Sequence, residues 1–175
     1  QQPLPVIMTG PKSAEPYFRQ IDEFVAATLG DAVRQRYRIV IDDPTEVARQ
    51  MHAGLQDVRE FRKQHGDAYY FNWRLQIDHK FQQPFVATHQ AMSELDIEDD
   101  LPAHELAANL RRVFSGIVSG NVREDTALMI EREGPFTING SRRIMTMLDR
   151  LLAGFVAQRR MKISSGEYHP CYEIK

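Results

Sequence analysis

The chain has 175 residues, with 22 Lys plus Arg against 24 Asp plus Glu and a net charge of −2. That balance excludes a general nucleic-acid or membrane-surface binder while leaving room for a local basic patch. Apolar residues at 42% and charged residues at 26% describe a globular chain, and a single cysteine, Cys171, rules out an intrachain disulfide and suits a reducing compartment.

The first segment, PLPVIMTG, reads as a strand and turn, and its near-continuous apolar run suits a strand covered on both faces of a parallel sheet. A helix is predicted over Ser13–Leu29, with Phe18, Ile21, Phe24, Val25 and Leu29 on one face and Gly30 as its stop. RYRIVIDD reads as a second strand. It ends in strong helix-start chemistry: Asp43 to cap, Pro44 at the first helical position and Glu46 at the third. The helix from Pro44 to about His65 carries Val47, Met51, Leu55, Val58 and Phe61 as its apolar stripe. Residues 1–65 thus read strand, helix, strand, helix, which is part of a doubly wound α/β sheet. The first strand is expected to have its partners upstream of Gln1 or in another chain.

The pattern changes after Gly66. Tyr69, Phe71, Trp73, Leu75 and Ile77 alternate as in a half-buried strand. SELDIEDDLPAHE reads as an acidic loop, and Pro102 opens a helix to about Val122 with Leu106, Leu110, Val113, Phe114 and Ile117 inward. Within it, SGIVSG sets Gly116 and Gly120 one turn apart, a spacing that lets another backbone approach closely. Helices are predicted near Asp125–Glu133 and over Ser141–Arg160, the latter with Ile144, Met147, Leu148, Leu151, Phe155 and Val156 inward; CYEI reads as a closing strand. Residues 66–175 read as a largely helical α+β unit.

Three places invite chemistry. TGPKS has the position of a phosphate loop but not its composition: it holds one glycine, and Pro11 removes an N–H that a phosphate cradle needs. Ligands in open α/β sheets sit beyond the carboxyl ends of strands, so Thr9, Gly10 and Lys12 are read either as a ligand mouth or as a plain turn. On the Pro44 helix, Arg49, His52, Gln56, Arg59 and Lys63 follow 3-4-3-4 spacing and form one polar stripe. Such a stripe suits a polyphosphate or a solvated helix face, and Glu46, Asp57 and Glu60 lie beside it. The six histidines show no metal-ligand spacing, so no metal is expected, and Cys171 reads as a buried, inert thiol. No apolar run approaches the ~18 residues needed to span a bilayer, and no signal-peptide pattern opens the chain. A cytoplasmic protein without membrane or nucleic-acid partners is expected.

The stretches LPVIMTGPK…YFRQIDEFV, YRIVIDDPTEVARQM, GDAYYFNW, FSGIVSGNV and GFVAQRRMK…PCYEIK together resemble one family. It is the C-terminal part of the bacterial pyrimidine/purine nucleotide 5′-monophosphate nucleosidases, long relatives of the Lonely Guy (LOG) proteins. The resemblance implies a Rossmann-like core for residues 1–65 and a family-specific region over 66–175. It also implies hydrolysis of the N-glycosidic bond of a nucleoside 5′-monophosphate to free base and ribose 5-phosphate. A homo-oligomer, no cofactor and a (p)ppGpp-like effector come with it. The family's Pro-Gly-Gly-x-Gly-Thr-x-x-Glu motif, which supplies the catalytic Glu, is absent here and expected upstream of Gln1, so no catalytic residue is assigned. Thr9, Gly10 and Lys12 then fall near the substrate mouth, and Arg49, His52, Arg59, Lys63 and Tyr69 become the expected effector site. The alternative is a nucleotide-sensing or scaffold module without catalysis.

Overall fold

In the computed structural model, which describes residues 5–64, 83–163 and 166–175, the chain opens with β1 (Ile7–Gly10), a 3-10 turn (Lys12–Ala14) and α1 (Glu15–Leu29). Gly30, at φ 84°, ends α1 at the expected place. A single-turn α2 (Asp31–Arg34), not foreseen from sequence, leads to β2 (Arg38–Ile41). β2 runs parallel to β1, with Ile7 opposite Arg38 and Gly10 opposite Ile41. Thr9 and Gly10 belong to the strand rather than to the turn alone, because the Asp42 N–H donates to Gly10 O at 2.9 Å and carries the ladder on.

Next comes α3 (Pro44–Gln64). Its start follows the predicted chemistry on one side: the Glu46 N–H donates to Asp43 Oδ1 at 2.8 Å. The Glu46 carboxylate does not turn back to complete a capping box. It accepts instead from Arg49 Nε at 2.6 Å and Gln50 Nε2 at 2.7 Å. Of the apolar stripe expected on α3, Val58 is buried, while Met51 and Leu55 stay 45% and 46% exposed.

The later residues build a second parallel sheet, ordered β3 (Asp96–Ile97), β4 (Phe136–Gly140), β5 (Tyr172–Ile174). Around it stand α4 (His89–Ser93), α5 (Ala103–Val122), α6 (Glu124–Glu133) and α7 (Arg142–Ala157). The closing strand and the three longer helices lie where the sequence predicts them. The acidic stretch is not purely loop: Ile97 is fully buried, and its carbonyl accepts from the Ser141 N–H at 2.8 Å. The predicted strand over Tyr69–Ile77 lies outside the described residues.

The core sits between this sheet and its helices. Phe136 and Ile138 enter from β4, Leu106, Leu110, Val113 and Ile117 from α5, and Ile144, Leu148, Leu151 and Phe155 from α7. Met145 and Leu152 join them, widening the buried face of α7 beyond the predicted stripe. α1 docks on α7: Tyr17, Ile21, Phe24 and Leu29 pack against the core, and Tyr17 and Phe155 have ring centroids 4.8 Å apart. Gly154 leaves room for the Gln20 amide, which accepts from Gln158 Nε2 at 2.8 Å. The SGIVSG notch is filled by the chain's own side chains. The Met92 thioether sits over Gly116, and a Cβ at Gly120 would lie 2.7 Å from both Cys171 Sγ and Ile130 Cδ1.

Candidate functional site

Parallel pairing brings the carboxyl ends of β1 and β2 together, so Thr9, Gly10 and Lys12 share one rim with Asp42 and Asp43. Thr9 is exposed. Gly10 admits no larger residue without a shift, since a Cβ there would lie 3.0 Å from the Phe18 ring and 3.1 Å from Ala14 Cβ. Lys12 pairs with Glu15 at 2.7 Å. That carboxylate raises the Lys12 ammonium above its usual value, with a smaller push from Asp42. Asp42 itself holds φ 56°, a left-handed conformation that Asp tolerates better than most residues. The rim therefore offers one cation among carboxylates rather than a closed phosphate cradle.

The polar stripe of α3 exists as predicted and lies opposite the side that carries Val58 and Gly54, by the 100° step of the helix. Its cations are not equivalent. Arg49 makes a fork contact with Glu46, donating from Nε at 2.6 Å and Nη2 at 2.5 Å. Arg49, then Gln50, hold the Glu46 carboxyl down to about 2. Lys63 pairs with Glu60 at 2.8 Å, and His52 faces the Gln56 amide at 3.5 Å. Arg59 has no ion pair among the described residues. At 1.5 Å rise per residue, Arg49 and Lys63 are about 21 Å apart along the helix. The stripe thus divides into an amino half with Arg49 and His52 and a carboxyl half with Arg59 and Lys63. Tyr69 lies outside the described residues.

At the opposite end of the first sheet, the amino ends of β1 and β2 and one side of α3 enclose a groove of about 450 Å³. Arg36, Arg38, Arg49, Gln50 and Asp57 reach it. Sequence reasoning assigned Arg49 to the stripe and missed Arg36 and Arg38, although R-Y-R ahead of an apolar strand is visible in the sequence. What it could not reveal is the crossing of α3 that encloses them.

A fourth cluster closes the end of the chain onto α7. Tyr168 and Tyr172 donate to the two oxygens of Asp149 at 2.6 and 2.8 Å. Burial, then the bond to Asp149, raises both phenols above their usual value. Cys171 lies between them in sequence, with Asn121 Nδ2 and Ile117 O each 3.7 Å from its sulfur, and burial pushes its thiol up to about 11. That is the opposite of nucleophile activation. Among the described residues no group of three or more His, Cys, Asp or Glu could hold a metal ion, and no helix is long and apolar enough to cross a membrane.

A family model described as pyrimidine/purine nucleotide monophosphate nucleosidase, C-terminal, matches residues 55–175. The chain belongs to that family. It is 53% identical over 173 residues to the pyrimidine/purine nucleotide 5′-monophosphate nucleosidase of Escherichia coli strain K12, and equally to that of E. coli O157:H7. Each alignment covers 99% of this chain and 38% of the relative, so the chain spans well under half the length of the nucleosidases it matches. The family resemblance read from the sequence is thereby shown. Arg59, Lys63 and Tyr69 fall inside the range of the nucleosidase C-terminal model, whereas Thr9, Lys12, Arg49 and His52 precede it.

Proposed function

We propose that this chain is the C-terminal part of an enzyme that hydrolyses the N-glycosidic bond of nucleoside 5′-monophosphates, releasing free base and ribose 5-phosphate. The observation that carries the reading is the 53% identity over nearly the whole chain to nucleosidases of that name. Such a hydrolysis passes through an oxocarbenium-like state and needs a carboxylate to handle water. No Pro-Gly-Gly-x-Gly-Thr-x-x-Glu motif occurs in these 175 residues, so the reading assigns that carboxylate to a part of the nucleosidase that this chain does not span. Residues 1–65 then complete a Rossmann-like sheet, with Thr9, Gly10 and Lys12 at the rim of the substrate mouth. Residues 66–175 form the family-specific region and supply contacts in a cytoplasmic homo-oligomer.

The test is chromatographic detection of free base after incubation with AMP, GMP and CMP. The longest natural form of the protein should release base and this chain alone should not. Turnover by the chain alone at the rate of the longer form overturns the reading.

The effector part is a surface for (p)ppGpp on α3, drawn from Arg49, His52, Arg59, Lys63 and Tyr69. Its support is the exposed cationic stripe, and above all the carboxyl half, where Arg59 has no ion pair among the described residues and Lys63 has only an exposed one. A charge-assisted hydrogen bond to phosphate contributes about 1.5–3 kcal/mol. Arg59→Ala or Lys63→Ala should therefore weaken ppGpp binding about tenfold to a hundredfold in calorimetry of the full-length oligomer. Arg150→Ala, on the exposed side of α7, should not. Equal binding by all of these variants reduces the stripe to a solvated helix face.

A further inference from the structure

We infer that the groove at the amino ends of β1 and β2 is a second anion site, distinct from the carboxyl half of the α3 stripe with Arg59 and Lys63, and takes a compact phosphorylated molecule. Three guanidinium groups converge on it from two directions. Arg36 leaves the turn after α2, Arg38 opens β2, and Arg49 comes from α3. Neither Arg36 nor Arg38 has an ion pair among the described residues, and both are exposed. The carboxylate that reaches Tyr37, the residue between them, is already committed. Asp22 of α1 accepts from Arg34 Nε at 2.9 Å and from the Tyr37 hydroxyl at 2.9 Å. That bond also fixes the backbone between the two arginines, so their spacing is set before any ligand arrives.

Arg49 is not used up by Glu46. The fork contact takes Nε and one hydrogen of Nη2, leaving the other edge of the guanidinium free for a second acceptor. Gln50 adds an amide on the same helix, and Asp57 is the one acidic residue lining the groove. Three fixed cations against two carboxylates, Asp57 in the lining and Glu46 on Arg49, leave a surplus positive charge that a phosphate group would meet, and Arg is the residue suited to bidentate phosphate recognition. Gly54 keeps the wall of the groove low. A Cβ there would meet Pro5 at 2.7 Å, so the helix and the strand entrance approach as closely as the backbone allows. A volume of about 450 Å³ falls within the range of small-ligand pockets. The groove lies at the other end of the strands from Thr9, Gly10 and Lys12, so a ligand bound there leaves the substrate mouth open.

The experiment is calorimetric titration of the full-length protein with tripolyphosphate, in a background carrying Arg59→Ala and Lys63→Ala to remove the effector surface proposed above. The proposal predicts that Arg36→Ala with Arg38→Ala abolishes one binding site per subunit, or weakens it at least tenfold. Asp57→Asn should tighten the same site several-fold, because it removes the negative charge of the groove lining. Circular dichroism melts of each variant separate loss of binding from loss of fold. The same number of sites and the same affinities in all three proteins overturn the proposal, whatever the ppGpp titrations show.

Discussion

β1 and β4 are alike in sequence character: each is a short strand with apolar residues that ends in glycine, IMTG and FTING. Their surroundings differ completely. β4 lies between β3 and β5, and its Phe136 and Ile138 are fully buried under α4, α5 and α7. β1 has β2 as its sole partner among the described strands, and none of its residues is buried. The same contrast runs through the helices. α7 buries six residues, whereas the longer α3 buries Val58 alone. Parallel sheets are stable when both faces and both edges are covered. The two halves therefore teach that burial here follows from the neighbours an element finds, not from its own composition. α1 is the informative exception, early in the sequence but packed with the later residues.

Substitutions at equivalent places should measure how deep the contrast goes. Phe136→Ala should cost about 3–5 kcal/mol in urea unfolding. Met51→Ala and Leu55→Ala, at half-exposed positions, should stay within about 0.5 kcal/mol in this chain. Repeating the latter pair in the longest natural form sharpens the comparison, since a cost above about 1 kcal/mol there would mark the α3 flank as covered in that form. A small cost for Phe136→Ala would erase the distinction.

Two glycines offer a finer version of the same test. Gly120→Ala pushes a methyl against Cys171 and Ile130 inside the core and should cost about 1–3 kcal/mol. Gly54→Ala meets Pro5 at a similar distance, but in an exposed helix the same change gains up to about 1 kcal/mol of helix propensity. The two terms nearly offset, and thermal melts should show Gly54→Ala close to neutral.

Alkaline pH should separate the halves again. Tyr168 and Tyr172 titrate above the usual tyrosine value of 10.0 when folded. Their contribution is fully present below pH 10 and is lost as pH rises beyond it, because the unfolded phenols ionise first. Urea midpoints at pH 9, 10 and 11 should fall, and Tyr168→Phe with Tyr172→Phe should flatten that fall. In the first half Tyr37 is the one described tyrosine that shows this behaviour, pushed up to about 12, so Tyr37→Phe should change the slope less. The smallest effect concerns reactivity rather than stability. With its thiol at about 11 against an ordinary 9.0, Cys171 should react with disulfide reagents at pH 8 roughly a hundredfold more slowly than in urea.

The long helices were legible because a 3.6-residue apolar period repeated over three or more turns names both the helix and its inward face; Leu106 to Ile117 and Ile144 to Phe155 are examples. The Asp43 cap was legible because capping is local. β3 and β4 were not, since two to five residues with Asp, Asn and Thr among them carry too little pattern to compete with a loop reading. The stripe of α3 was legible as residues but not as charges. Only coordinates reveal that Arg49 forks onto Glu46 while Arg59 stands clear of the described carboxylates. Arg36 and Arg38 were passed over because a groove is made by two elements crossing, and no single segment encodes it.

The docking of α1 on α7 has a consequence for the making of the protein. The partner of Ile21 and Phe24 is more than a hundred residues further along the chain. At synthesis rates of about 5–20 residues per second, α1 waits on the order of 5–20 s for α7 to be translated. Through that interval its apolar face lacks the cover of α7, which makes residues 15–29 a segment for a chaperone to hold.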